Sequence, residues 1–234
     1  MPAPSFAIWV SELRAKPTRT AGYDPDCTLC PRLAEFLAVT RERHPAYWAR
    51  PVPSFGVARP LIVIVGLAPG LHGANRTGRP FTGDHAGLLL YRTLYDAGLA
   101  SRPQSHAADD GLQLINVRIV NAVKCVPPEN KPLPAEVRRC NGYLVAELQR
   151  LRSARVYLAL GRVAHEGLLM ALGLRRSAYS FGHGREHALD ATRWLIDSYH
   201  CSRYNTATRR LTAAMFQEVV ARACERARLP GRRG

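Results

Sequence analysis

The sequence predicts an α/β fold: a parallel sheet covered by helices on both faces. Two observations carry this. Four short aliphatic runs, at 61–65, 114–123, 155–160 and 194–199, alternate with segments of helical periodicity, and strands that alternate with helices build parallel sheets. The first run opens directly into a glycine-rich stretch, 66–87 (GLAPGLHGANRTGRPFTGDHAG), with six glycines, one aromatic (Phe81) and one acid (Asp84). A loop at the carboxyl end of a parallel strand is where such sheets bind ligands, and glycine lets backbone approach a ligand closely.

In chain order, residues 1–22 mix Pro, Ser, Arg and Thr and are expected to form a flexible arm on a single domain spanning 1–234. Cys27-Thr28-Leu29-Cys30-Pro31 reads as a tight turn, and Leu33, Phe36 and Leu37 start a helix. Residues 47–55 are rich in Pro and aromatics and read as an extended connector. After the glycine-rich loop, Leu88, Leu89, Tyr91, Leu94 and Tyr95 mark a helix, and 101–111 a surface loop. The second strand alternates around Ile115, Val117, Ile119 and Ala122. Prolines keep 124–132 irregular. Pro134 can open the next helix, where Val137, Cys140, Leu144, Leu148 and Leu151 share one face. A helix at 163–172, an irregular stretch at 173–192, a polar loop after His200 and a closing helix up to 227 complete the chain. Gly66, Asn121, Gly161 and His200 each fall at the end of a strand, so four loops meet in one crevice.

The chain has 33 Lys+Arg against 18 Asp+Glu, a net charge of +15 and a pI near 10.3. Such an excess points to a polyanionic partner, above all nucleic acid. A high-GC genome would explain why only three of the cations are lysines (Lys16, Lys124, Lys131), but not why cations exceed anions. No apolar run is long enough for a transmembrane helix, and the apolar patch at 6–10 is too short for a signal peptide. The expected compartment is the cytoplasm, where cysteines stay reduced.

Six cysteines in that setting read as ligands, nucleophiles or core residues. Cys27 and Cys30 form one close pair; Cys125 and Cys140 form a wider one. Two such pairs suit a four-thiolate site. Zinc favours short spacing in both pairs, and the wide second pair favours an iron–sulfur cluster; four buried core cysteines are the plain alternative. Cys224 reads as core. Cys201, beside His200, has the look of a nucleophile, but the sequence supplies no partner for it.

Taken together, GLAPGLHGANRTGRPFTGDHAG, NAVKCVPPENKPLP and SYHCSRYNTATRRLT, with four cysteines interleaved, resemble the motifs of the uracil-DNA glycosylase superfamily, in particular its iron–sulfur type b group (family 5). The resemblance runs from Cys27 to about Leu211. It implies a three-layer α/β/α sandwich on a four-stranded parallel sheet, a [4Fe–4S] cluster on Cys27, Cys30, Cys125 and Cys140, and excision of uracil from DNA by base flipping. Gly66, Leu67, Ala68, Phe81, Asn121, Ser202, Arg203 and Asn205 are then expected at the substrate. Phe81 would stack on the flipped base, where otherwise it would be a core aromatic. Asn121 can read a uracil edge, where otherwise it would form a turn. His200 can donate to the base as charge develops. Asp84, otherwise a plain N-cap, would be ionised at a helix N-terminus and serve the sugar cation or the water; Asn130 joins these two near the reaction. Many relatives outside the type b group carry a polar residue where this chain has Leu67, which moves catalytic weight to Asp84 and loosens base selectivity towards other deaminated or damaged bases.

The loop from His200 to Asn205 is suited to wedge into a duplex, and Arg76, Arg79, Lys124, Lys131, Arg203, Arg209 and Arg210 are candidate phosphate contacts. The expected partner is double-stranded DNA carrying damaged bases, with single-stranded DNA as a second form, acted on by a monomer without a membrane. The competing reading is a non-catalytic DNA-binding protein with a zinc or iron–sulfur staple.

Overall fold

In the computed structural model, residues 23–229 are described; the arm expected at 1–22 lies outside them. The strands are β1 (Phe55–Gly56), β2 (Ile62–Gly66), β3 (Val117–Asn121), β4 (Val156–Leu160), β5 (Glu186–Ala188) and β6 (Trp194–Ser198). The helices are α1 (Pro31–Arg43), α2 (Ala74–Thr77), α3 (His85–Asp96), α4 (Pro134–Arg150), α5 (Arg162–Ala171), α6 (Arg203–Ala207) and α7 (Ala213–Ala227). The sheet order is β1-β3-β2-β4-β6-β5. The four predicted strands form its parallel centre, and two short antiparallel edge strands extend it to six.

Every residue of β2 and β4 is buried, because helices cover both faces and each side chain finds a core whichever way it points. Ile62 and Ile64 pack with Leu90, Tyr91 and Leu94 of α3 and Phe216, Val219 and Val220 of α7. Their neighbours Val63 and Val65 pack with Leu144 and Leu148 of α4 and Leu168 of α5. This is the expected three-layer sandwich. A third cluster joins Leu33 and Leu37 of α1 to Val123, Val126, Val137, Cys140 and Tyr143. Prolines at the first position open both α1 and α4, and the Arg32 guanidinium pairs with both Glu136 oxygens at 2.8 and 2.7 Å, fastening the cysteine-bearing arm to α4.

The second strand is shorter than the alternation predicts. Asn116 takes a left-handed conformation (φ 59°), the ladder starts at Val117, and Ile115 is exposed. The loop after His200 is partly helical: Ser202 caps α6, its hydroxyl accepting the Asn205 amide. No helix among the described residues is long and apolar enough to cross a membrane.

Two of the predicted phosphate cations are structural. Arg79 is 5% exposed; it donates to Ser105 Oγ (3.0 Å), to Asp110 Oδ1 (2.6 Å) and to the Ala108 carbonyl, and lies over the Phe55 ring. Lys124 is 3% exposed and paired with Glu147 at 3.1 Å. Arg76, Lys131, Arg203, Arg209 and Arg210 are exposed.

Arg79 ties the 101–111 loop to the glycine-rich loop. Burial works against the Asp110 carboxylate, but Arg79 and the amides of Leu112, His106 and Ala107 hold its carboxyl well below the usual range. A depressed carboxyl stabilises the fold above its unfolded pKa, about 3.9, and loses that contribution as the pH falls through the folded value. Asp110→Ala strands a buried guanidinium and is expected to cost about 3–5 kcal/mol at pH 7. In urea unfolding, the gap to the unaltered protein should narrow as the pH is taken below about 4.

Candidate active site

The site is built on a close approach at the end of β2. A Cβ on Gly66 would stand 2.4 Å from Asn121 Oδ1 and 2.8 Å from the Phe81 ring, so only glycine lets both side chains reach this point. Asn121 closes β3 and is 3% exposed, and its amide oxygen is buried without a hydrogen-bond partner. Phe81 has a left-handed backbone (φ 54°), a strained conformation for an aromatic residue. The Tyr91 hydroxyl holds the turn by donating to the Pro80 carbonyl at 2.7 Å. The Phe81 ring stacks on His200, with centroids 5.8 Å apart and planes at 29°.

Asp84 is the N-cap of α3, accepting the Gly87 amide at 2.9 Å. Its carboxylate lies over Gly73, where a Cβ would sit 2.3 Å from Oδ2. Burial pushes the Asp84 carboxyl up; the Gly87 and Ala86 amides and the neighbouring His85 pull it down, and burial prevails. The helix end therefore favours ionisation, as expected, but does not set the net direction. Desolvation lowers His200 to about 4, so its imidazole is neutral at physiological pH.

These groups face one cavity of about 380 Å³. Of the predicted residues, Leu67, Ala68, Phe81, Asp84, Asn121, Asn130, His200, Ser202 and Arg203 line it. Two do not. Gly66 lies against Asn121 and Phe81, and Asn205 turns its amide to the His200 carbonyl (2.8 Å), bracing the loop. Asn130 reaches the wall because Glu129 and Asn130 both adopt positive φ (53° and 57°) in the turn Pro128–Asn130. Gly70, Ala74, His85 and Ala86 also line the cavity and were missed; His85 was signalled only by standing next to Asp84. Its Nε2 lies 2.9 Å from Thr206 Oγ1, joining the start of α3 to α6. Tyr204, beside Arg203 on α6, is 72% exposed.

Cys201 is fully buried in the core, and burial pushes its thiol up to about 12; it is an inert core thiol. Cys224 is core as expected. Cys27, Cys30, Cys125 and Cys140 line one small second cavity with Leu33, Val123 and Tyr143. All are free thiols. Cys140 accepts the Lys124 amide at 3.3 Å, and burial raises its thiol to about 11. Among the described residues, no three or more His, Cys, Asp or Glu side chains form a group that could hold a metal ion.

Comparison with known proteins gives the same assignment from several sides. The family model described as "Uracil DNA glycosylase superfamily" matches residues 53–224. The chain is 51% identical to the "Type-5 uracil-DNA glycosylase" of Thermus thermophilus over 202 residues, 84% of this chain and 92% of the relative. A protein of the same name from Mycobacterium tuberculosis is 43% identical over 84% of this chain and 76% of its own. The one from Pyrobaculum aerophilum is 40% identical over 85% and 88%. With the family model matching residues 53–224 and relatives aligned over most of its length, the chain belongs to the uracil-DNA glycosylase superfamily.

Proposed function

We propose that this chain is a DNA-repair glycosylase that hydrolyses the N-glycosidic bond of uracil, and of other deaminated or damaged bases, in DNA. The observation that carries the reading is the buried, unpartnered Asn121 amide oxygen on the same cavity wall as the Phe81–His200 stack and the Asp84 carboxylate. An orphaned buried acceptor calls for a ligand donor, and a pyrimidine ring N–H is one. The Asn121 amide nitrogen can in turn donate to a base carbonyl. The base enters by flipping, with Tyr204 and Arg203 of the exposed α6 tip placed to enter the duplex behind it. Exposed Arg76, Lys131, Arg209 and Arg210 take phosphates.

In the reaction the C1′–N bond breaks and water adds to C1′. The base leaves with its bonding electrons, and neutral His200 donates to the oxygen on which that charge collects. Asp84 stabilises the sugar cation and accepts the water proton; the departing base is protonated from solvent. Water is the nucleophile, since no lysine among the described residues lines the cavity. Lys124 is held by Glu147, and Lys131 is exposed, beside Glu129 at 3.0 Å. The apolar Leu67 in the wall sets no polar test on the base, in keeping with broad selectivity. The protein works as a monomer in the cytoplasm on double-stranded DNA, and on single strands where no flipping is needed.

Cys27, Cys30, Cys125 and Cys140 hold a [4Fe–4S] cluster. Four free thiols around one apolar cavity, one of them accepting an amide, form a suitable donor set. The wide spacing of Cys125 and Cys140 favours a cluster over zinc, which favours short spacing in both pairs. When bound, the cluster ties the arm before α1 to α4 and takes no part in the bond cleavage.

A duplex with one uracil tests the function. Strand scission after incubation and alkali is expected, and an intact strand sinks the reading. Asp84→Asn keeps an N-cap side chain and removes the charge; single-turnover excision should fall about 10²–10³-fold with DNA binding retained. The wild-type rate should fall with decreasing pH as Asp84 protonates, along a limb shifted up from the ordinary aspartate value; Asp84→Asn should lack that limb. Gly73→Ala pushes against the Asp84 carboxylate. It is expected to bring excision down towards the Asp84→Asn rate while the far-UV spectrum and DNA affinity stay unchanged.

A further inference from the structure

Cys140 and Glu147 lie seven residues apart on α4, which places them on the same face, two turns from each other. Lys124 spans both. Its backbone N–H donates to Cys140 Sγ at 3.3 Å. Its side chain, 3% exposed, donates to Glu147 Oε2 (3.1 Å) and Ser54 Oγ (2.9 Å). Glu147 also accepts the Ser54 hydroxyl at 2.6 Å and Arg118 Nε at 2.8 Å. Burial works against the Glu147 carboxylate, yet Lys124, Ser54 and Arg118 keep it below its usual range.

Lys124 stands where the chain leaves the sheet. Ala122 and Val123 are still held by the Gly66 and Leu67 carbonyls. At Lys124 that support ends, apart from the Val52 amide on its carbonyl (2.7 Å), and Cys125 follows at once. Buried ion pairs add little stability over apolar residues of the same shape, and their best-attested use is to fix register.

We propose that the Lys124–Glu147 pair is a positioning clamp for the four-cysteine site. It locks the segment carrying Cys125 to the helix carrying Cys140 and aims the Lys124 amide at the Cys140 sulfur. A donor so aimed fixes the position of the Cys140 sulfur relative to Cys125. The proposal rests on the reading of these cysteines as iron–sulfur ligands.

The test uses the full chain purified with its iron. Lys124→Met, Glu147→Gln and the double variant Lys124→Met/Glu147→Gln are challenged with chelator in air, well below their melting temperatures. Loss of the broad visible absorption and release of iron are followed. Each single variant is expected to lose its cluster about tenfold faster or more. The double variant should be less impaired than the product of the two single effects, as expected of partners in one interaction. Leu158→Ala, in β4 and outside the cysteine cluster, serves as a control for lost stability. The clamp is overturned if the single variants bleach at the wild-type rate, or no faster than the control at a matched melting temperature. A wild-type protein that carries no iron overturns instead the reading of the cysteines on which the clamp depends.

Discussion

At the end of β2, a backbone without a side chain meets two side chains that arrive from elsewhere. Asn121 comes from the neighbouring parallel strand and Phe81 from the far end of the glycine-rich loop, and both press on Gly66 at distances a Cβ would forbid. The rest of the site follows from this approach. Phe81 must turn back through a left-handed conformation to reach it, which puts its ring against His200 from the loop that follows β6. The same return brings Asp84 over Gly73 and starts α3. Three strands thus deliver side chains to one wall, and the loop closes the cavity because its glycines lie under the groups that matter.

The surplus of positive charge divides into two populations. Arg79, Lys124 and Arg118 are spent inside or at the margin of the fold, each paired with a carboxylate: Asp110 for Arg79, Glu147 for the other two. Arg79 fastens the 101–111 loop to the site loop; Lys124 and Arg118 converge behind the cysteines. Other cations are exposed, among them Arg203 at the cavity wall and Arg210 over the Tyr199 ring. A basic sequence alone does not separate these groups, because the carboxylate that neutralises a buried cation lies 31 residues away for Arg79 and 23 for Lys124.

The same distinction explains how much of the protein was legible. The four central strands could be read because burial on both faces leaves continuous aliphatic runs such as IVIVG and VYLAL. The edge strands, two and three residues long, leave no run to read. Helix α6 is five residues nucleated by the Ser202 cap, its one aromatic side chain, Tyr204, exposed, with no buried face to announce it. Most of the cavity wall was legible because motif residues cluster at strand ends. Asn205 was not, because its amide serves a backbone carbonyl rather than the cavity. Nor was Ile115, whose alternation with Val117 is real in sequence but broken by the left-handed Asn116.

Desolvation acts on the two titratable groups of the wall in opposite directions of pKa and the same direction of charge. It raises Asp84 and lowers His200, favouring the neutral form of each. The scaffold opposes this at only one of them. The helix amides of Ala86 and Gly87 work for the Asp84 carboxylate, while nothing opposes the neutralisation of His200. The result is a polarised wall, a carboxylate held at a helix end and a neutral imidazole stacked on Phe81. Were His200 charged, it would attract the carboxylate and spend its donor there. In the reaction proposed above, an imidazole kept neutral by burial would hold its N–H for a group that becomes negative only as the bond breaks, which is when a hydrogen bond lowers a barrier rather than merely tightening binding.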